Sequence, residues 1–308
     1  MSNESYLKSL QNQYDETLKE LENRPDDFRS EDYSVYFKDK VFEDEILKNM
    51  SETDRNAYGT GAGGELKDAN NGIPAKMKSV ASSSRFCYLS LKDTDFSVFG
   101  VKNRSFVRRF EERLPVVRGT APHMDCYYED GDVIVCFECK CHEQFNDHTF
   151  ELSESYFSKD RIVTKIPENF ILEKHKPYVK RDKNGVEHTY YNNIINPEVV
   201  GLTDNPRFDV EQFFTHIMGI QARMQKTNKS KARLIYYYFI PNNAQKGNGK
   251  ICEVVKKLYS EIQTVFNSPF ITKNIDNISF ELYVQYSDVV ENAEHTNTKQ
   301  IDLSTIES

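Results

Sequence analysis

The run HMDCYYEDGDVIVCFECKCHE, residues 123–143, sets Asp125, Glu138 and Lys140 within strongly β-forming sequence. The second half, VIVCFECKC, is apolar on both faces apart from Glu138 and Lys140, as in a strand covered on both sides. Two carboxylates and an ammonium are costly to bury there unless they pair or hold a metal. A hard divalent ion suits them, because Mg²⁺ favours one or two carboxylates together with waters and phosphate oxygens. An ammonium beside such an ion can orient or deprotonate an attacking water and offset the charge of a phosphoryl transition state. An acid–lysine pair on a solvated sheet face is the plainer reading; the two-sided apolar run favours a functional cluster.

Asp130-Gly131 is a two-residue hairpin signal between CYYE and DVIV. A turn there pairs Glu129 with Asp132, Tyr128 with Val133 and Asp125 with Cys136, and sets His123 opposite Glu138. Asp125, Glu138 and Lys140 then share one face, with Asp125 and Glu138 as diagonal neighbours about 7–8 Å apart. A slip of one residue would separate Asp125 and Glu138 onto opposite faces.

Asp125, twelve residues, then Glu138-Cys139-Lys140 at the end of a hairpin resembles the PD-(D/E)XK nuclease superfamily. The resemblance spans about residues 60–240. It implies an α/β fold with a restriction-endonuclease-like core: a mixed central sheet flanked by helices, here with added N-terminal helices and an insertion. The family order is helix, three antiparallel strands, helix, strand. The hairpin would supply the second and third strands, and a helix at 209–226 and a strand at 233–240 would complete the core. The resemblance further implies that Asp125, Glu138 and the main-chain carbonyl of Cys139 bind Mg²⁺, with Mn²⁺ as a substitute. Glu65, in GGELKD, would be a third acid at the metal, and Lys140 would activate or orient the water. A capping or solvated role for Glu65 stands equally open. The implied reaction is hydrolysis of a DNA phosphodiester. The family proline normally precedes the aspartate directly, whereas Pro122 lies three residues before Asp125.

The helix at 209–226, DVEQFFTHIMGIQARMQK, carries Gln212, His216, Gly219 and Arg223 on one stripe and Phe213, Ile217, Ile220 and Met224 on its packing stripe. Gln212 and His216 are candidates to line the site and contact substrate. Asp209 and Gln212 also have the spacing of a capping box, and His216 reads equally as a structural histidine.

The rest of the chain positions these groups. Its 308 residues carry a net charge of −8 and 38% hydrophobic content, enough for a sizeable core. The acidic balance argues against bulk-charge coating of nucleic acid but leaves room for a local basic groove. Basic residues gather at Arg104–Arg118, Lys174–Lys183 and Arg223–Arg233, with Tyr178, Tyr190 and Tyr191 placed to stack on bases. No apolar run is long enough to span a bilayer, and the N-terminus lacks a signal-peptide core. Six cysteines without a disulfide-framework spacing point to a reducing compartment, hence the cytoplasm.

One nuclease-like domain is expected over 1–308, with a helical N-terminal extension at 1–57 and an insertion at 155–205. Residues 5–23 read as an amphipathic helix, 86–91 and 97–101 as short strands, 104–118 as a basic helical or mixed segment, 250–266 as a helix and 278–286 as a strand. Lys183-Asn184-Gly185 marks a second hairpin. Gly59, Gly61 and Gly64 match G-x-G-x-x-G, but no strand precedes them and no acid follows at the distance a dinucleotide site needs. Cys136, Cys139, Cys141 and His142 invite zinc, yet Cys136 and Cys139 fall on opposite strand faces and no second pair follows. The expected partner is DNA, with a homodimer as a compatible assembly. The rivals are a catalytically silent nucleic-acid-binding protein with the nuclease fold, and a paired-carboxylate enzyme such as a glycosidase.

Overall fold

The computed structural model describes residues 8, 9, 11, 14, 25–31, 34–60, 64–69, 71–93, 96–101, 108–116, 121–157, 170–181, 185–203, 206–241, 250–287 and 298–303. In chain order the strands are β1 (Phe28–Glu31), β2 (Ser34–Phe37), β3 (Arg109–Arg113), β4 (His123–Asp130), β5 (Val133–Lys140), β6 (Glu151–Ser153), β7 (Ile171–Arg181), β8 (Glu187–Ile195), β9 (Lys231–Pro241), β10 (Ile278–Ser287) and β11 (Thr298–Gln300). The helices are α1 (Asp39–Phe42), α2 (Glu52–Thr60), α3 (Ser83–Leu91), α4 (Val210–Thr227), α5 (Lys250–Phe266) and α6 (Pro269–Asn274).

Six strands form the central sheet, in the order β11-β10-β9-β5-β4-β3. β3, β4 and β5 are antiparallel neighbours, whereas β9 runs parallel to β5 and β10 parallel to β9. A parallel β5–β9 pair needs a crossover, and α4 supplies it. The molecule is therefore α/β, a mixed sheet with helices on its faces.

The tyrosine run of β9 shows how the sheet is covered. Tyr236, Tyr237 and Tyr238 are all fully buried although successive side chains point to opposite faces. Tyr236 meets Phe208 and Phe213 at the start of α4, while Tyr237 meets Phe86 of α3 at 4.8 Å between ring centroids. α3 and α4 thus lie on opposite faces of the sheet. In the β5–β9 register Glu138 is level with Tyr236 and Lys140 with Tyr238, so both charged side chains lie on the α4 face. α4 sits very close to the chain entering β4. A Cβ built at Gly219 would lie 2.6 Å from Pro122 Cγ and 2.9 Å from Leu114 Cβ. Pro122 packs against α4 here.

Several sequence expectations are corrected. Residues 86–91 are helical, inside α3: Ser82 caps it by accepting from Arg85 N, and seven of its nine residues are buried, which erases the helical period. Residues 96–99 form a 3₁₀ turn, so no strand runs through 97–101. Within 104–118, Arg109–Arg113 is the edge strand β3, with Glu111 in the left-handed region at φ 49°. The extension at 1–57 holds the β1–β2 hairpin as well as helix. The residues of the expected helix 5–23 lie outside the described set apart from 8, 9, 11 and 14, which are helical. Gly61, Lys183, Asn184 and the tail up to residue 297 also lie outside it. The insertion at 155–205 holds β7 and β8, which with β6 make a three-stranded sheet in the order β6-β8-β7. Val210–Thr227, Lys231–Pro241, Lys250–Phe266 and Ile278–Ser287 match the expected helices and strands.

Candidate active site

The β4–β5 hairpin forms, but in a register two residues from the expected one. Asp130 pairs with Val133, Glu129 with Ile134 and Cys126 with Phe137, leaving Gly131-Asp132 as the loop. Gly131 has φ +60° at the first central position, the arrangement of a type II′ turn. A shift of two preserves side-chain parity, so Asp125, Glu138 and Lys140 still share a face. Asp125 becomes level with Glu138 instead of diagonal to it. Its Oδ2 accepts from Cys139 N at 2.7 Å, tying the aspartate to the neighbouring strand.

Lys140 closes the β5 end. Its Nζ lies 2.9 Å from Glu138 Oε1 and 3.8 Å from Glu143 Oε1, and donates to Gln212 Oε1. Burial works against its charge, but Glu138, Glu143 and Asp209 outweigh burial and raise its pKa. Lys140 is therefore held as a cation by its acidic neighbours.

Asp209 caps α4, accepting from Gln212 N at 2.8 Å, and lies 3.3 Å from His148 Nδ1. Burial opposes its ionisation, yet the His148 contact and Lys140 hold it down at about 2, and Asp209 in turn raises His148 against the effect of burial. Glu143 accepts from Asp209 N and from the Tyr238 hydroxyl. Glu143, His148 and Asp209 form the one described group of three whose ligand atoms all lie within 4.8 Å of one another. They could hold a metal ion, but the Lys140 ammonium and the positive end of α4 disfavour a second cation there.

His216 lies under Glu138, with Nε2 3.7 Å from Oε2. Its burial, reinforced by Lys140, drops its pKa to about 3, so the ring is neutral. It contacts Glu138 from below, and Gln212 reaches Lys140. Of the two α4 candidates, then, Gln212 fixes the ammonium and His216 supports an acid.

On the other flank Asp125, Glu65 and Glu138 all act on the ionisation of Glu111. Glu65 is buried, with Oε1 2.7 Å from Lys76 Nζ and Oε2 2.6 Å from the hydroxyl of Ser84 in α3. It lies in a bend after Gly64, whose φ of +83° turns the chain. In the β3–β4 register Phe110 pairs with Cys126 and Glu112 with Met124, so Glu111 is level with Asp125. The Glu111 side chain is only 6% exposed and lies 3.9 Å from His123 Nδ1, whose own pKa is lowered by burial and then by Arg113. Among the described residues no donor hydrogen-bonds to it. Burial, then Asp125, Glu65 and Glu138, push its pKa up to about 8. Burial and Glu138 likewise raise Asp125 well above the usual range, and burial raises Glu138 to about 6.

Sequence reasoning missed Glu111, Glu143 and His148, and took Asp209 only as a cap. Glu143 could have been found, since it follows Lys140 by three residues in a chain already read as a site. Glu111 gave no signal, because RFEER looks helical.

Asp125 and Glu138, level on adjacent strands, offer only oxygen, which suits a hard cation, and Glu138 Oε2 is buried without a hydrogen-bond partner among the described residues. The five described cysteines are free and buried, and Cys139 lies beside Cys87 on the α3 face, away from Cys136. Among the described residues no helix is long and apolar enough to cross a membrane. No family model, curated protein or solved structure matches the chain.

Proposed function

We propose that the chain is a Mg²⁺-dependent endonuclease that hydrolyses DNA phosphodiesters, built on a restriction-endonuclease-like core. The observation that carries this reading is the trio at the end of the β4–β5 hairpin. Asp125 and Glu138 stand level on adjacent strands, and Lys140 is 2.9 Å from Glu138. The order α3, β3-β4-β5, α4, β9 also supports it, being similar to the order of the family core.

Asp125, Glu138 and the Cys139 carbonyl would hold the Mg²⁺, which supplies Lewis-acid charge at the phosphate. Lys140 would donate to the attacking water or a phosphate oxygen and offset negative charge in the transition state. Gln212 fixes the ammonium in place, so little reorganisation is needed when substrate arrives. Neutral His216 lies 3.7 Å below Glu138 Oε2 and does not compete for its charge. Cys139 N fixes the Asp125 carboxylate toward β5.

Supercoiled plasmid incubated with the protein and Mg²⁺ or Mn²⁺ is expected to become nicked or linear. EDTA or Asp125→Asn stops the conversion, while circular dichroism of the variant stays that of the parent. An intact plasmid with every divalent ion would defeat the reading and leave the catalytically silent nucleic-acid-binding protein in its place.

A further inference from the structure

The β7–β8 ribbon has no part in the chemistry above, and its surface is unusual for this acidic chain. The strands pair from Ile171–Ile195 out to Arg181–Glu187, while β6 covers only Asn192, Asn193 and Ile194 of β8. Beyond that cover the ribbon is open on both faces: Val179 is 57% exposed, Tyr190 46% and Tyr191 44%. Two-stranded ribbons are marginal in water, and exposed aromatics on both faces mark a binding surface.

One face is specific in character. Lys176 pairs across from Asn192, Tyr178 from Tyr190 and Lys180 from His188, so these six side chains share a side. The Tyr178 and Tyr190 rings stack at 5.6 Å, and the Lys180 ammonium sits 5.4 Å from the Tyr178 ring centre. Glu151 at the foot of the ribbon takes Lys176, and the acid nearer the tip, Glu187, is held by Arg181. Lysines flanking an aromatic platform, on a chain of net charge −8, complement an anionic polymer that also offers apolar surface. Lys180 and Glu151 both act on the ionisation of Glu211, which precedes Gln212 in the first turn of α4.

We propose that the β7–β8 ribbon is a DNA-gripping arm that lies in the major groove of the duplex presented to Asp125, Glu138 and Lys140. The inference rests on the nuclease reading above. A major groove about 12 Å wide admits a two-stranded ribbon, whereas the deep, narrow major groove of duplex RNA does not. Lys180 contacts a phosphate, and the Tyr178–Tyr190 platform packs on base edges and thymine methyls.

The test is fluorescence anisotropy of the full chain with a labelled DNA duplex in EDTA, where no cutting occurs. Lys180→Ala should weaken binding several-fold and make the log–log salt dependence shallower by about one. Lys180→Ala combined with Tyr190→Ser should weaken it about tenfold, with an unchanged circular-dichroism spectrum. Duplex RNA of the same sequence should bind more weakly than the DNA. Variants that bind like the parent, while the parent still cuts plasmid, overturn the arm and leave the nuclease reading standing. RNA binding as tight as DNA overturns the groove-seated arm. A parent that neither binds nor cuts DNA with any divalent ion sinks both.

Discussion

The acidic centre has two flanks built from the same residue types with opposite charge balance. On the α4 flank, Glu138, Glu143 and Asp209 face Lys140 and His148, and nearly every oxygen has a donor. On the β3 flank, Glu65 and Asp125 both act on Glu111, and the cation in contact is Lys76 against Glu65, itself largely exposed. The first flank is wired before any ligand arrives. The second is short of positive charge, and that shortage is what a divalent ion would relieve.

Breaking the wired flank should have the largest effect. Lys140→Ala leaves Glu138 and Glu143 as buried charges without their cation, a loss on the order of 3 kcal/mol in urea unfolding. Any plasmid cleavage should fall below detection. Stability within error of the parent would show that the α4 flank is not held by charge pairing.

The β3 flank should respond in the opposite direction. A carboxyl whose folded pKa lies above its ordinary value keeps its proton longer in the fold. Glu111, raised from 4.5 to about 8, therefore costs stability as pH climbs through that window, and the cost is full above it. In EDTA, Glu111→Gln should flatten this decline and raise stability at the alkaline end by roughly 2 kcal/mol after allowance for screening. The same variant should bind Mn²⁺ more weakly by calorimetry. Unfolding curves in EDTA that show the same pH dependence as the parent would remove Glu111 from the cluster.

The smallest effect belongs to the link between α4 and Lys140. Gln212→Ala removes one hydrogen bond to an ammonium that keeps two carboxylates, so about 1 kcal/mol of stability should be lost. The rate of plasmid nicking should fall by about tenfold, since the ammonium is then less well placed. A rate equal to the parent's would make Gln212 a cap-region residue only.

The face shared by Asp125, Glu138 and Lys140 was legible in the sequence because parity survives a register error of two. The turn itself was misplaced: only Gly131 takes a positive φ, so the loop starts one residue later than Asp130-Gly131 suggests. β9 and α4 were legible from an unbroken apolar run and a clear helical stripe. α3 was not, because a helix buried nearly all round has no polar face to give a period, and its Phe, Cys and Tyr imitate a strand. β3 was not, because a charged edge strand reads like the surface of a helix, and Glu111 bends it where no glycine announces the bend. The pairing of His148 with Asp209 depends on where loops return to the sheet, which local pattern does not encode.

Gly219 ties distant parts of the protein together mechanically. With Pro122 and Leu114 within 3 Å of where a Cβ would stand, even one added methyl would act as a wedge between α4 and the chain entering β4. Gln212 is two turns, about 10 Å, along the same rod. Gly219→Ala would thus tilt the helix start away from the sheet, and the damage would be read at Lys140, from a position with no chemistry of its own.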